Sequence, residues 1–186
     1  MGVLLAFAPF IVFAIVDRLA GGTAALVAGA AVAAVLALRN WIGGGRTPKI
    51  LELGTVILFG ALALYAVLSD PEWSIIGVRL RVDSGLLLIV LLSMAIRRPF
   101  TLQYAREQVS PELWDRPIFI RTNYAITAVW AIAFAVDVAA DVALLHGPEL
   151  SAGIGVAATI AAIGAAVWFT SWYPKHVRAN AGIDPH

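Results

Sequence analysis

The chain has 186 residues, of which 61% are hydrophobic and 13% charged, with a mean hydropathy of +0.87; that charge content is about half the usual share and excludes an ordinary soluble domain. A net charge of +1 gives no whole-molecule field to attract nucleic acid. There is no cysteine, which excludes disulfides, thiolate metal sites and cysteine nucleophiles.

Six apolar runs follow one another, at about 4–16, 23–38, 50–68, 80–96, 118–145 and 152–173. A bilayer-crossing helix needs about 20 such residues, with a range of about 17–25. The third, fifth and sixth runs meet that length and the second nearly does. The first is short; without a basic leader region or a clear cleavage site, it reads as a retained helix and not a removed signal. The fourth is cleanly apolar only over 85–96 and reaches full length by drawing in Arg79, Arg81 and Asp83. Strands of a membrane barrel would alternate apolar and polar over about ten residues, whereas these runs are apolar on every face. In lipid such a backbone must pair its own polar groups, so the runs are helical. The expectation is all-α: a polytopic transmembrane bundle of about six spans, forming one integral domain over 1–186 with a tail at 174–186.

Loops between six spans alternate sides. Arg39, Arg46, Lys49, Arg97, Arg98, Arg106, Arg116, Arg121, Lys175 and Arg178 then share one side, ten of the thirteen basic residues, while Arg18, Arg79 and Arg81 take the other. Short loops rich in Lys and Arg stay cytoplasmic, so both termini are expected there. Trp41, Trp73, Trp114, Trp168, Trp172 and Tyr173 fall near span ends, where amphipathic rings favour the headgroup layer; Trp130 alone lies deep in a span. The cationic loops also suit anionic lipid of the cytoplasmic leaflet.

Small residues recur every four positions at Ala25, Gly29 and Ala33, and again at Gly153, Ala157, Ala161 and Ala165. Such stripes let helix backbones approach closely. They fit either packing inside the bundle or a homo-oligomer face, and Gly54 and Gly60 raise the same two readings.

Gly43-Gly44-Gly45, beside Arg46 and Lys49, lacks the strand and the GxxxxGK[ST] pattern of a phosphate loop and reads as a flexible link. Glu52, just inside the third span, is expected to snorkel or to pair with a loop arginine. Asp17 and Arg18 are placed at the membrane interface.

The longest polar stretch is the connection 97–117. Pro99 stops the helix that ends in Arg97-Arg98, and Ser110-Pro111-Glu112 has the composition of a helix start. One or two short amphipathic helices on the membrane surface are predicted here, between the fourth and fifth spans. Arg97, Arg98, Tyr104, Arg106, Trp114 and Arg116 form a candidate docking surface, with a plain topological connector as the other reading.

Ionisable groups within a span are costly and therefore worth a functional hypothesis. In the fifth span Asn123, Thr127, Trp130, Phe134, Asp137 and Asp141 follow three- and four-residue steps and share one face. Three readings stand for Asp137 and Asp141: a proton or cation path, a span that ends early and leaves them in outer-side water, or ion pairing with Arg79 or Arg81 as outer-side basic partners. His146, His176 and His186 are far apart and carry no metal-binding spacing, so neither a metal nor a cofactor is implied.

The order of several short motifs resembles the intracellular septation protein A (YciB-like) family of bacterial inner-membrane proteins. Phe7-Ala8-Pro9-Phe10 with Phe13 is similar to that family's F-x-P-x-x-x-F run. Thr23-Ala24-Ala25-Leu26 resembles its Ala/Thr-rich second span, and Phe59-Gly60-Ala61-Leu62-Ala63-Leu64 its F-G-G-L-T-L stretch. Arg97-Arg98-Pro99 matches a basic-basic-Pro step. Trp114 followed by Asn123 resembles its W…L-N-x-A-W segment, with Asp137 where relatives tend to carry Asn. The family's W-K-x-T segment appears only as Val78-Arg79-Leu80-Arg81, and the connection at 101–117 is longer. The resemblance covers roughly 4–175. It implies a non-enzymatic, multi-pass protein of the bacterial inner membrane that supports septation or envelope upkeep through division or envelope-synthesis partners. Beside that reading stand a small transporter or channel using the acids of the fifth span, and a membrane enzyme acting on lipid, for which no nucleophile or acid–base pair presents itself.

Overall fold

A computed structural model describes residues 5–42, 49–147 and 152–180. The glycine run at 43–45, Arg46 and the residues after 180 lie outside them. All regular structure among the described residues is helical. The helices are α1 (Ala8–Ala20), α2 (Gly22–Ile42), α3 (Ile50–Ser69), α4 (Ile75–Ala95), α5 (Phe100–Arg106), a single 3-10 turn (Pro111–Leu113), α6 (Pro117–His146) and α7 (Ala152–Asn180).

Four of them are long and apolar enough to cross a membrane: α2, α3, α6 and α7. This is the composition of a multi-pass membrane protein. α1, with 13 residues, is only about 20 Å long at about 1.5 Å per residue, short of a hydrocarbon core of about 30 Å. α4 has 21 residues, but Arg79, Arg81 and Asp83 interrupt its apolar surface.

The chain divides into two compact units, Met1–Ile89 and Val90–His186. In the first, Phe13 of α1, Ala25 and Leu26 of α2, Phe59, Ala63 and Ala66 of α3, and Val78 and Val82 of α4 make one core. Phe59 is its hub, with ring centroids 5.1 Å from Phe10 and 5.7 Å from Phe13. Gly29 makes room for that ring: a Cβ there would lie 2.6 Å from it. Ala25, Gly29 and Ala33 are all buried, so this small-residue stripe serves packing within the unit. Gly54 similarly admits Ile89, while Gly60 faces open space.

In the second unit α6 and α7 pack along each other and α5 packs against α6. Trp130 of α6 donates its indole N–H to Thr170 Oγ1 of α7 at 2.9 Å. The stripe Gly153, Ala157, Ala161 and Ala165 is exposed, in contrast to the buried one on α2. α7 continues through Pro174 to Asn180. A proline removes one backbone donor, and the turns on either side carry the helix past it.

Candidate functional site

The connection between α4 and α6 is folded, not draped. α4 ends with Arg97 at φ 59°. Its N–H bonds to Met94 O at 3.0 Å and that of Arg98 to Ser93 O at 2.9 Å. These two bonds make a Schellman cap, whose left-handed position usually holds glycine. An L side chain there costs about 1–2 kcal/mol. Ser93 Oγ donates to Val90 O at 2.6 Å and accepts the Phe100 N–H at 3.2 Å, which ties the helix end to the start of α5.

α5 packs closely against α6. Phe100, Thr101, Leu102 and Tyr104 are buried, because apolar or hydroxyl side chains occupy most of its seven positions. Thr101 Oγ1 donates to Asn123 O at 2.9 Å and lies 2.7 Å from Thr127 Oγ1. Asn123 Nδ2 donates to Phe119 O at 2.9 Å. Two of the polar residues on the α6 face thus anchor the connection. Further on, the Trp114 indole donates to Arg106 O at 3.1 Å, and the Arg106 guanidinium lies 5.4 Å from the Trp114 ring centroid and 3.8 Å from Asp115 Oδ1. The predicted helix at Ser110-Pro111-Glu112 is a single 3-10 turn, and the Ser110 hydroxyl makes no capping bond. Of the candidate docking residues, Arg97, Arg98 and Arg116 are exposed, Arg106 and Trp114 are half-buried, and Tyr104 at 1% exposure is inaccessible.

The α6 face predicted from spacing is buried along its length: Asn123, Thr127, Trp130, Phe134, Asp137 and Asp141 all point inward. Asp137 is 6% exposed and Asp141 1%. Both sit within a helix that continues to His146. In the first unit, Arg81 Nη1 donates to Gly77 O at 2.6 Å, and its guanidinium lies 4.3 Å from the Trp73 ring centroid. Trp73 itself stacks on Tyr65 at 5.3 Å. Arg79 lies near Asp17 and acts on it electrostatically, as does Arg18.

Asp17 is a buried acid that the sequence reading does not single out. It is buried in the first unit, while Arg18 beside it is exposed. Pro9, Phe13 and Asp17 stand four residues apart and are the buried side of α1; that spacing was the available signal. Glu52 pairs with Lys49, a lysine one turn earlier, at 3.5 Å. Thr101 and Thr170, the partners of the α6 polar face, carry no local pattern that marks them. Among the described residues no group of three or more His, Cys, Asp or Glu side chains is placed to hold a metal.

The chain matches no family model, no curated protein and no solved structure.

Proposed function

We propose that the protein is a non-enzymatic, multi-pass protein of the bacterial inner membrane that presents the folded α4–α6 connection to cytoplasmic division or envelope-synthesis partners. The observation that carries this reading is Arg97. A basic side chain occupies a left-handed cap where glycine would be free of strain, and strained positions of this kind concentrate where a side chain is needed for function. Arg97 and Arg98 are both exposed, next to a segment held by buried hydrogen bonds. The motif order shared with septation protein A supports the same role. The bias of basic residues toward alternate loops supports cytoplasmic termini.

A photo-crosslinking residue at position 98, introduced into living cells, tests the reading. Crosslinks to septal or envelope-synthesis proteins that vanish in Arg97→Gln/Arg98→Gln are expected. Crosslinks to lipid alone, with membrane insertion intact, overturn it. Because the chain lacks cysteine, single cysteines at Arg39 and Arg98 report the topology; labelling from opposite faces of the membrane would remove the docking surface from the cytoplasm.

A second reading rests on the buried acids. Asp137 and Asp141, one turn apart on α6 and both buried, would serve a proton- or cation-conducting transporter or channel. Proton or sodium flux in liposomes that persists in Asp137→Asn/Asp141→Asn eliminates it. The exposed small-residue stripe on α7 supports self-association in lipid, a reading that crosslinking of single cysteines at Ala161 would check.

A further inference from the structure

The start of α6 and the end of α7 lie side by side because the two helices run antiparallel. Between them is an open groove of about 530 Å³, lined by Arg116, Ile118, Arg121, Thr122, Tyr173 and Val177 together with Pro117. Its walls are mostly hydrocarbon, and Arg116 and Arg121 are the charged residues in its lining. Arg116 and Arg121 are exposed, and no ion pair joins either to a described carboxylate; Asp115, the nearest acid in sequence, lies 3.8 Å from Arg106 Nη2. The Thr122 hydroxyl is satisfied by Ile118 O at 2.8 Å. The donors that remain for a ligand are therefore the two arginines and the Tyr173 hydroxyl.

The depth of the groove is marked separately. Trp168 and Trp172 stack with ring centroids 5.2 Å apart, Phe169 and Tyr173 at 4.7 Å, and Trp172 and His176 at 4.7 Å. Trp168 is 61% exposed and Trp172 40%. A run of outward-facing aromatic rings on an apolar helix belongs at the headgroup layer, and Tyr173 of this run lines the groove.

We infer that this groove binds an anionic phospholipid, with its phosphate on Arg116 and Arg121 and the upper part of an acyl chain along Ile118 and Val177. Guanidinium groups grip phosphate oxygens through paired N–H donors, and basic pockets between membrane helices select acidic headgroups. A soluble anion would gain nothing from the apolar walls. A zwitterionic lipid would bring its own cation to two unpaired arginines. The inference rests on α6 and α7 crossing the bilayer, and not on the docking role of Arg97 and Arg98.

The full chain in mild detergent is titrated with short-chain phosphatidylglycerol, short-chain phosphatidylcholine or inorganic phosphate, and bound species are counted by native mass spectrometry. Phosphatidylglycerol is expected to bind in preference to the other two. Arg116→Gln/Arg121→Gln should weaken it roughly thirtyfold, from the worth of two cations near a membrane surface. Arg97→Gln/Arg98→Gln, which removes the same charge elsewhere, should change it less than about threefold. Arg116→Lys/Arg121→Lys, which keeps the charge and loses the fork, should fall between the two. Equal loss in both Gln variants would reduce the effect to diffuse attraction and overturn the site. Phosphate displacing the lipid at equal concentration would make it a free-anion site and overturn it too. Flotation of each variant with liposomes reports separately whether α6 and α7 insert.

Discussion

Thr101 and Thr127 hold their hydroxyl oxygens 2.7 Å apart, joining α5 to α6 across 26 residues of chain. Since Thr101 gives its proton to Asn123 O, Thr127 supplies the one between the two hydroxyls. Both groups are buried, and a buried hydroxyl left without its partner costs about 1–3 kcal/mol.

Thr127→Val removes the donor while keeping the shape, and it is expected to destabilise the second unit by about 1–2 kcal/mol. Thr101→Val should cost somewhat more, because it strips a bond from the Asn123 carbonyl as well. In the double variant the losses should fall short of additive by about 1 kcal/mol. Reversible unfolding in mixed detergent measures all three; strict additivity would mean that the hydroxyls act separately.

Arg97→Gly relieves the left-handed cap and should raise stability by about 0.5–1 kcal/mol, less than the full strain because glycine also loosens the unfolded chain. If Arg97 is retained for partner contact, the same variant weakens position-98 crosslinking in cells while its midpoint of thermal unfolding rises. A lower midpoint would show that the arginine stabilises the cap, and the functional argument from strain would fail.

The apolar runs at 50–68 and 118–145 correspond to helices Ile50–Ser69 and Pro117–His146, because long all-round apolar sequence leaves the backbone no other way to satisfy itself. The shared face from Asn123 to Asp141 was equally legible, since helical periodicity fixes it. What escaped depends on partners distant in sequence or on exceptions to local rules. The helix at Ile75–Ala95 begins earlier than its apolar core suggests, and it accommodates Arg81 through the Gly77 carbonyl and the Trp73 ring. Pro174 looks like a stop signal yet lies inside α7. Tyr104 reads as a surface anchor, but Thr101 draws α5 against α6 and buries it.

Gly29 and Gly60 carry opposite expectations, although each sits within an apolar helix. A Cβ on Gly29 would meet the Phe59 ring at 2.6 Å, and that ring is held by Phe10 and Phe13. Gly29→Ala should therefore cost about 1–3 kcal/mol as an overpacked core. Gly60 has nothing within 4 Å of its added Cβ, so Gly60→Ala should be neutral or stabilise by up to about 1 kcal/mol through helix propensity. Thermal unfolding of the two variants side by side separates packing from propensity; equal effects would mean that Phe59 yields freely.

Pro174 leaves the carbonyl of Thr170 without its usual partner four residues on. The Thr170 hydroxyl is meanwhile occupied, donating to Ala166 O at 2.7 Å and accepting from Trp130 at 2.9 Å. The helix beyond Pro174 is thus held by its own few turns. Pro174→Ala restores the missing donor and should stabilise α7 by about 1–3 kcal/mol. The gain should appear as slower hydrogen exchange at amides 175–180, with little change at 155–165. Because the groove lined by Tyr173 and Val177 spans this point, the same variant would also tighten lipid binding if local helix opening competes with it. Unchanged exchange beyond the proline would show that those turns are already fully formed and that the missing bond is met by another donor.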